Sequence, residues 1–441
     1  MSNNLRMSSN SETNSDLAGV DQPAEVAAGT TRNAAGTTRN AAGTVGAATA
    51  DFTRPSPHQG LRHASRIEIA FFLTVTLIMG VMVYFGLHSS IDYSPYYSPG
   101  VSFPTGRVVE IVTDQTEIDE YGLHRGRQEL QVELLSTENR GKIIEVINTL
   151  SIDHSVYVKV GQRIVVYYDQ QPGDEYYFAS VQGYDRSLTI LGLIILFISL
   201  LVVVGGRTGL RSAFGLAFTF IAVLFGLIPL LIQGVPPIWL TLATILSIIA
   251  VSLLSMLGFT KKACVGMLGT TAGVLLCCLF YFVISQALHI TGYNISEIDS
   301  LIVIAYNTNI KVGDLLFCGV LLASLGAVID VSVSVASSVA ELSETSAVVS
   351  FQSLFRSGLR IGRDIIGATA NTLILAFTGS FFTTLVMLRI YEVQFNHLIN
   401  LDEIAIELLQ ALASSSALIL CAPLTALIAA RFYSDNKLDF T

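Results

Sequence analysis

The residues whose types could do chemistry lie in one apolar run interrupted by an acid: GAVIDVSVSVASSVAEL, Gly326–Leu342. Its VSVSV core alternates as a strand would. A lone strand inside a bilayer would leave its backbone unsatisfied, however, so a helix is the viable form at membrane depth. Wound as a helix, Asp330, Ser334, Ser337, Ser338 and Glu341 fall at i, i+4, i+7, i+8 and i+11. They make one polar stripe, expected to face the interior of a bundle. Small residues around it (Ser324, Gly326, Ala327, Ala336, Ala340) would let neighbouring helices approach closely. A carboxylate among hydroxyls could hold a proton or Na⁺, or act as a gate contact. The structural alternative is a cap or an ion pair with Arg363 or Arg207. Counted from Val312, Asp330 lies roughly 27 Å in, near the cytoplasmic edge of the hydrocarbon core; a helix starting near Leu315 would set it deeper.

A second polar pair, Asn371 and Thr372, sits in GATANTLILAFTGSF, Gly367–Phe381. Its expected depth matches that of Asp330, so an Asp330–Asn371 contact is expected, either as part of an ion site or as an interhelical hydrogen bond. Glu341, Arg363 and Asp364 are the expected contacts at the cytoplasmic end. Other motifs point to packing. GMLGTTAG (Gly266–Gly273) has small-xxx-small spacing, and Ser414–Ser416 precede Pro423, a possible helix interruption. GGRTGLRS (Gly205–Ser212) matches no phosphate-loop pattern and reads as a tight turn. NIS (Asn294–Ser296) has the form of a glycosylation acceptor. An intramembrane aspartyl protease would need a second carboxylate beside Asp330, and Asp314 is about 24 Å away along the same helix. The sequence has no His/Ser, Cys/His or HExxH constellation, so no enzyme, cofactor or metal centre is expected.

Apolar spans must position these residues. Of the 441 residues, 51% are hydrophobic and 13% charged, against roughly 25% charged in soluble domains. The net charge of −9, without a basic cluster, excludes nucleic-acid binding. All five cysteines lie in apolar runs and read as small buried residues. Runs of about 20 apolar residues predict about eight spans: 67–87, 188–206, 213–232, 238–257, 263–288, 312–335, 365–388 and 408–430. Arg and Lys concentrate in alternate connections (Arg62, Arg66; Arg207, Arg211; Lys261, Lys262; Arg356, Arg360, Arg363; Arg431), which predicts cytoplasmic N and C termini.

The organisation expected is a disordered cytoplasmic tail over 1–62, an anchor helix over 63–87, an extracytoplasmic β-domain over 88–186, a seven-helix bundle over 187–430 and a tail over 431–441. Within the bundle, 341–363 is expected as a basic amphipathic helix on the membrane surface. The tail repeats GTTRNAA without any large apolar residue, which rules out a coiled coil. Between Val101 and Ser187 there are 14 acidic and 8 basic residues and five alternating runs separated by turn signals. That pattern suits a small closed barrel of the OB type.

LASLGAVIDVSVSVASSVAEL (322–342), GRDIIGATANTLILAF (362–377) and ILCAPLTALIA (419–429), with GGRTGLRS and YDRSLTIL (184–191), resemble the YibE/YibF-like family of multi-pass bacterial membrane proteins. The likeness runs from about Gly106 to Ala430. It implies a protein of the bacterial cytoplasmic membrane and no particular reaction. Two functions follow as expectations. One is a transporter or permease working on a small solute, cation or proton through the polar stripe. The other is an assembly protein whose outer β-domain binds a protein partner.

Overall fold

A computed structural model describes residues 60–88, 100–136, 140–171, 173, 176–295, 298–307, 310–345 and 350–434. The tail expected over 1–62 lies outside them except for its last three residues, as does the chain beyond Ser434. An N-terminal helix, α1 (Gly60–His88), leads to a β-domain, and a helical bundle follows.

Six strands form the β-domain: β1 (Val101–Ser102), β2 (Thr105–Ile118), β3 (His124–Leu134), β4 (Ile143–Leu150), β5 (Arg163–Asp169) and β6 (Phe178–Tyr184). Their order is β1-β5-β2-β3-β4-β6, and β5 also pairs with β6, so five of the strands close into a barrel. Each expected alternating run became a strand because its apolar residues fill the barrel, among them Val108, Leu130, Val132, Ile144, Ile164, Val166 and Val181. Two register shifts in β2 let this long strand curve from β3 to β5.

The barrel interior is not wholly apolar. Gln128 and Asn148 are fully buried. Asn148 Nδ2 donates to Gln128 Oε1 (3.0 Å) and to the Val156 carbonyl (2.8 Å). Gln128 Nε2 donates to Asp114 Oδ2 (3.1 Å), which also accepts from the Tyr157 hydroxyl (3.0 Å). The loop after β4 is thereby fastened across one end of the barrel. Partial burial pushes the Asp114 carboxyl up, and hydrogen bonds from Thr116, Gln128 and Tyr157 outweigh it, so the net shift is downward.

The bundle begins with a helical run, Ser187–Ile232, in which α2 (Ser187–Ile221) passes through a π-helical turn (Ala222–Leu227) into α3 (Ile228–Ile232). Then come α4 (Pro237–Leu257), α5 (Lys261–Ala287), α6 (Ile298–Asn307), α7 (Leu315–Thr345), α8 (Phe351–Ser380), α9 (Phe382–Ile390), α10 (Phe395–Leu398) and α11 (Asp402–Ser434). Among the described residues six helices are long and apolar enough to cross a membrane, or seven if the pair α8 and α9, bent by 56°, is one span. The runs expected over 188–206 and 213–232 fall within one helical stretch, which is why that count is lower than the eight runs expected from sequence.

That run is broken internally at Gly206, whose φ of 56° is open to glycine at little cost. A Cβ on Gly209 would strike the carbonyl oxygen of Leu201. An unbroken helix holds residues eight apart at about 12 Å, so the chain turns sharply here.

The segment expected over 341–363 is shared by two helices: α7 continues through Glu341 to Thr345, and Arg356, Arg360 and Arg363 ride on the first half of α8. Ser350 caps α8 by accepting from Ser353 N (3.2 Å), and the helix then runs unbroken to Ser380.

The bundle has two distinguishable ends. At one, Arg211 pairs with Glu68 of α1 (2.7 Å) beside the Gly258 turn that leads to Lys261 and Lys262. At the other, Gly86 of α1 lies against Phe225, Thr241 of α4 reaches Cys318 of α7 (3.0 Å), and the β-domain leaves α1. We call these the basic end and the barrel end.

Asp114 sets a pH dependence for the barrel. Its folded pKa is below the unfolded value, so its stabilisation is complete above about pH 4. It is lost as the pH falls through the depressed folded value. Hydrogen exchange of β2 and β3 amides in the full chain should accelerate over that acid range, and Asp114→Asn should remove that part of the acid response.

Candidate functional site

Which face of α7 is covered decides what Asp330 can do. α5 approaches α7 and α11 through glycines. A Cβ on Gly269 would strike Thr425, and one on Gly273 would strike Val328 and come within 3.0 Å of Cys421 Sγ. The α7 residues turned toward these neighbours are Ser324, Val328, Val331, Ser332, Val335 and Val339, all buried. Ser332 Oγ lies 3.0 Å from Cys421 Sγ and accepts from Thr425 Oγ1 (3.5 Å), while Thr425 Oγ1 is 2.9 Å from the Cys421 carbonyl. This buried polar seam joins α7 to α11.

α8 closes on the same pair through Gly358 and Gly362. A Cβ on Gly358 would sit 2.9 Å from both Ala426 Cβ and Val339 Cγ2, and one on Gly362 would sit 3.1 Å from Ala422 Cβ. Gly358 meets Val339 and Gly362 approaches Val335, so α8 runs antiparallel to α7. Continuing that register sets Gly367 level with Asp330, and Asn371 level with Gly326.

The expected stripe therefore does not face the bundle interior. Asp330 is exposed, and Ser334 and Ser337 are half-buried. Asn371 and Thr372 are exposed, with the Thr372 hydroxyl returned to the Ala368 carbonyl (3.0 Å). Among the described residues no hydrogen bond or ion pair reaches Asp330, so the Asp330–Asn371 contact within one chain is not formed. Glu341 is exposed toward the basic end, and Arg363 and Asp364 are exposed level with Ser334 and Val333, about one turn from Asp330, with no ion pair among the three. Asp330 is the middle residue of α7, about 22 Å from either end. Asp314 and Glu341 are the flanking charges along the sequence. Along α7 itself Asp330 thus lies midway in the helix rather than near its end, because the helix starts at Leu315 and continues well past Val335.

A cavity of about 810 Å³ opens at the barrel end, between the end of α5, the start of α4, α6 and the turn before α7. Tyr281, Phe282, Tyr293 and Phe317 supply aromatic walls, and Lys311 and Asp314 supply opposite charges. Those two residues stand three apart on a 3₁₀ turn without pairing with one another, so each can face a ligand. Gly292 and Gly313 bring the rim loops together: a Cβ on Gly292 would strike the Gly313 carbonyl. Asn294 locks the rim, accepting from Thr291 N (2.8 Å) and donating to Asp402 Oδ2 (2.9 Å) at the start of α11.

Sequence reasoning missed this cavity, since it weighed Asp314 only as a protease partner and gave Lys311 no role. It also missed Glu407, whose buried Oε2 has no hydrogen-bond partner among the described residues. Glu407 lines a 160 Å³ space beside Phe381, where α8 bends into α9. The available signals were a Lys and an Asp at helical spacing at the mouth of a span, and an acid inside the first turns of α11.

Residues 193–435 match the family described as YibE/F-like protein, more than half of the chain. The chain belongs to this family. The matched region of this YibE/F-like chain starts within α2 and takes in the rest of the bundle, both the α7–α8 face and the cavity. It leaves out α1 and the β-domain, and of these the sequence resemblance had included only the β-domain, from Gly106. Comparisons with curated proteins and with solved structures give no match.

The glycine contacts seat α8, and filling one should unseat it. Gly358→Leu is expected to destabilise the bundle by about 1–3 kcal/mol, the usual cost of overpacking. A lowered melting temperature of the detergent-solubilised protein measures this. Gly192→Ala, where a Cβ meets nothing within 4 Å, should leave it unchanged.

Proposed function

We propose that this YibE/F-like protein is a permease of the bacterial cytoplasmic membrane that receives a small solute at its barrel end. The observation that carries this reading is the 810 Å³ cavity with aromatic walls and the separated charges of Lys311 and Asp314. Its volume is in the range of small-molecule sites, and a solute bearing both a cationic and an anionic group fits its chemistry.

In this reading both termini are cytoplasmic, as Arg and Lys at the basic end favour. The turn at Gly206 makes Ser187–Ile232 two crossings, since about 69 Å of straight helix would far exceed a core about 30 Å thick. With α8 and α9 as one broken span, the chain crosses eight times and the β-domain lies outside. The barrel's strand order, with β4 and β6 parallel at one side of the closure and β5 antiparallel to both β2 and β6, fits an OB-type topology. Asp330 is the carboxylate we assign to the coupling proton or cation.

A second reading rests on a different observation. β4 and β6 meet at a single residue pair, Ile147 and Ser180, and a groove of about 300 Å³ lies there beside Arg127, Glu129, Glu145 and Phe178. A protein partner docking on the β-domain at this groove would make the bundle an anchor.

Proteoliposome currents across a panel of amino acids, organic acids and nucleosides test the permease. At least one solute should give a transient current that Lys311→Ala abolishes and that Asp330→Asn uncouples from the ion gradient. Silence across the panel, without any thermal stabilisation by its members, would overturn it.

A further inference from the structure

Lipid-facing surfaces in this chain have a recognisable composition. The first half of α2 exposes Leu191, Leu193, Ile194, Ile195, Leu196 and Phe197. The exposed faces of α7 and α8 are built differently. On α7 they present Gly319, Ala323, Gly326 and Asp330, and on the middle of α8 Gly367, Ala368, Asn371 and Thr372, beyond which Ile374 and Leu375 return to the large apolar type. A Cβ on Gly319, Gly326 or Gly367 would meet nothing within 4 Å. Small residues gain little from contact with lipid tails, whereas they allow another helix to come close. An Asp left facing lipid near the span centre is costly by any scale.

We infer that two copies of this chain pair through these faces of α7 and α8. The chemistry singles out a second copy. Asp330 supplies carboxyl oxygens that accept, and Asn371 supplies an amide that donates, and the register sets them about one helical turn apart in depth. Within one chain they do not meet. A two-fold axis along the membrane normal brings α7 of one copy against α8 of the other at matching depth. Asn371 of each then donates to Asp330 of the other, and both unpartnered groups are satisfied at once. Such an isologous contact closes on itself and leaves no further copy to add. The small residues on both helices supply the close approach that the reciprocal bonds need. This inference stands whether or not a solute moves through the bundle.

The full chain, labelled in its C-terminal tail and reconstituted in liposomes at falling protein-to-lipid ratio, tests it by single-molecule photobleaching. Two-step bleaching should persist to dilutions at which chance co-occupancy is negligible. Gly326→Trp and Ala368→Trp should convert the protein to single steps without lowering its melting temperature, because each site is open in the single chain. Asn371→Leu, a milder change, should weaken pairing by about tenfold, the loss expected for two intramembrane hydrogen bonds. Oxidation of membranes carrying Gly367→Cys should trap a covalent dimer, and Leu193→Cys on α2 should not. Single-step bleaching of the unaltered chain would overturn the inference. So would a dimer indifferent to both tryptophans, or one trapped equally well through Leu193→Cys.

Discussion

The bundle depends on how closely glycine allows helix backbones to approach one another. Gly269 and Gly273 admit Thr425, Val328 and Cys421 to the surface of α5, while Gly358 and Gly362 seat α8 on α7 and α11. Lipid chains are as apolar as leucine, so no hydrophobic force drives these helices together. Dispersion between closely apposed surfaces takes its place, and it is strongest where no side chain intervenes. These glycines therefore determine which side of α7 is inside. The side carrying Val328, Val331, Val335 and Val339 is buried, and Asp330 is left on the opposite flank.

The β-domain is held by other forces. Its core is apolar and water drives its burial, but the loop over one end is fastened by side-chain hydrogen bonds from Gln128 and Asn148. Gln128 is partnered through both its amide atoms, whereas Asn148 Oδ1 is buried without a partner among the described residues, a cost that the two bonds donated by Asn148 Nδ2 offset. Two regions of one chain thus obey different rules: water sorts polar from apolar residues in the barrel, and shape sorts small from large in the bundle.

This difference explains what the sequence could and could not reveal. All five alternating runs of the β-domain became strands, since period two reflects a face packed away from water. In the bundle the same logic misled. Helical spacing correctly places Asp330, Ser334 and Ser337 along one side of α7, yet the assumption that polar residues turn inward failed. The inward serines are Ser324 and Ser332, and Ser332, on the apparently apolar side, lies against Cys421. GMLGTTAG was legible as a packing surface because its glycines recur at helical spacing. Gly358 and Gly362 have that spacing too, but lie in RSGLRIGRD, where three arginines dominate the reading. The barrel-end cavity arises from four segments distant in sequence, and no local pattern encodes it.

The depth of Asp330 ties these points together. A helix that ended near Val335 would have set this carboxylate at the membrane edge, where water or a headgroup could reach it. α7 instead continues for further turns, because Val335, Ala336, Val339 and Ala340 remain buried against α8 and α11. The glycine contacts at Gly358 and Gly362 lie in this added length. The contact that carries α7 deeper toward the basic end is therefore the one that moves Asp330 to the centre of the span. It is also the contact that covers the valine side and leaves the acid side open. A midspan acid on an open, small-residue face thus follows from where the glycines are. The face needs a neighbour because that packing gives the acid none within its own chain.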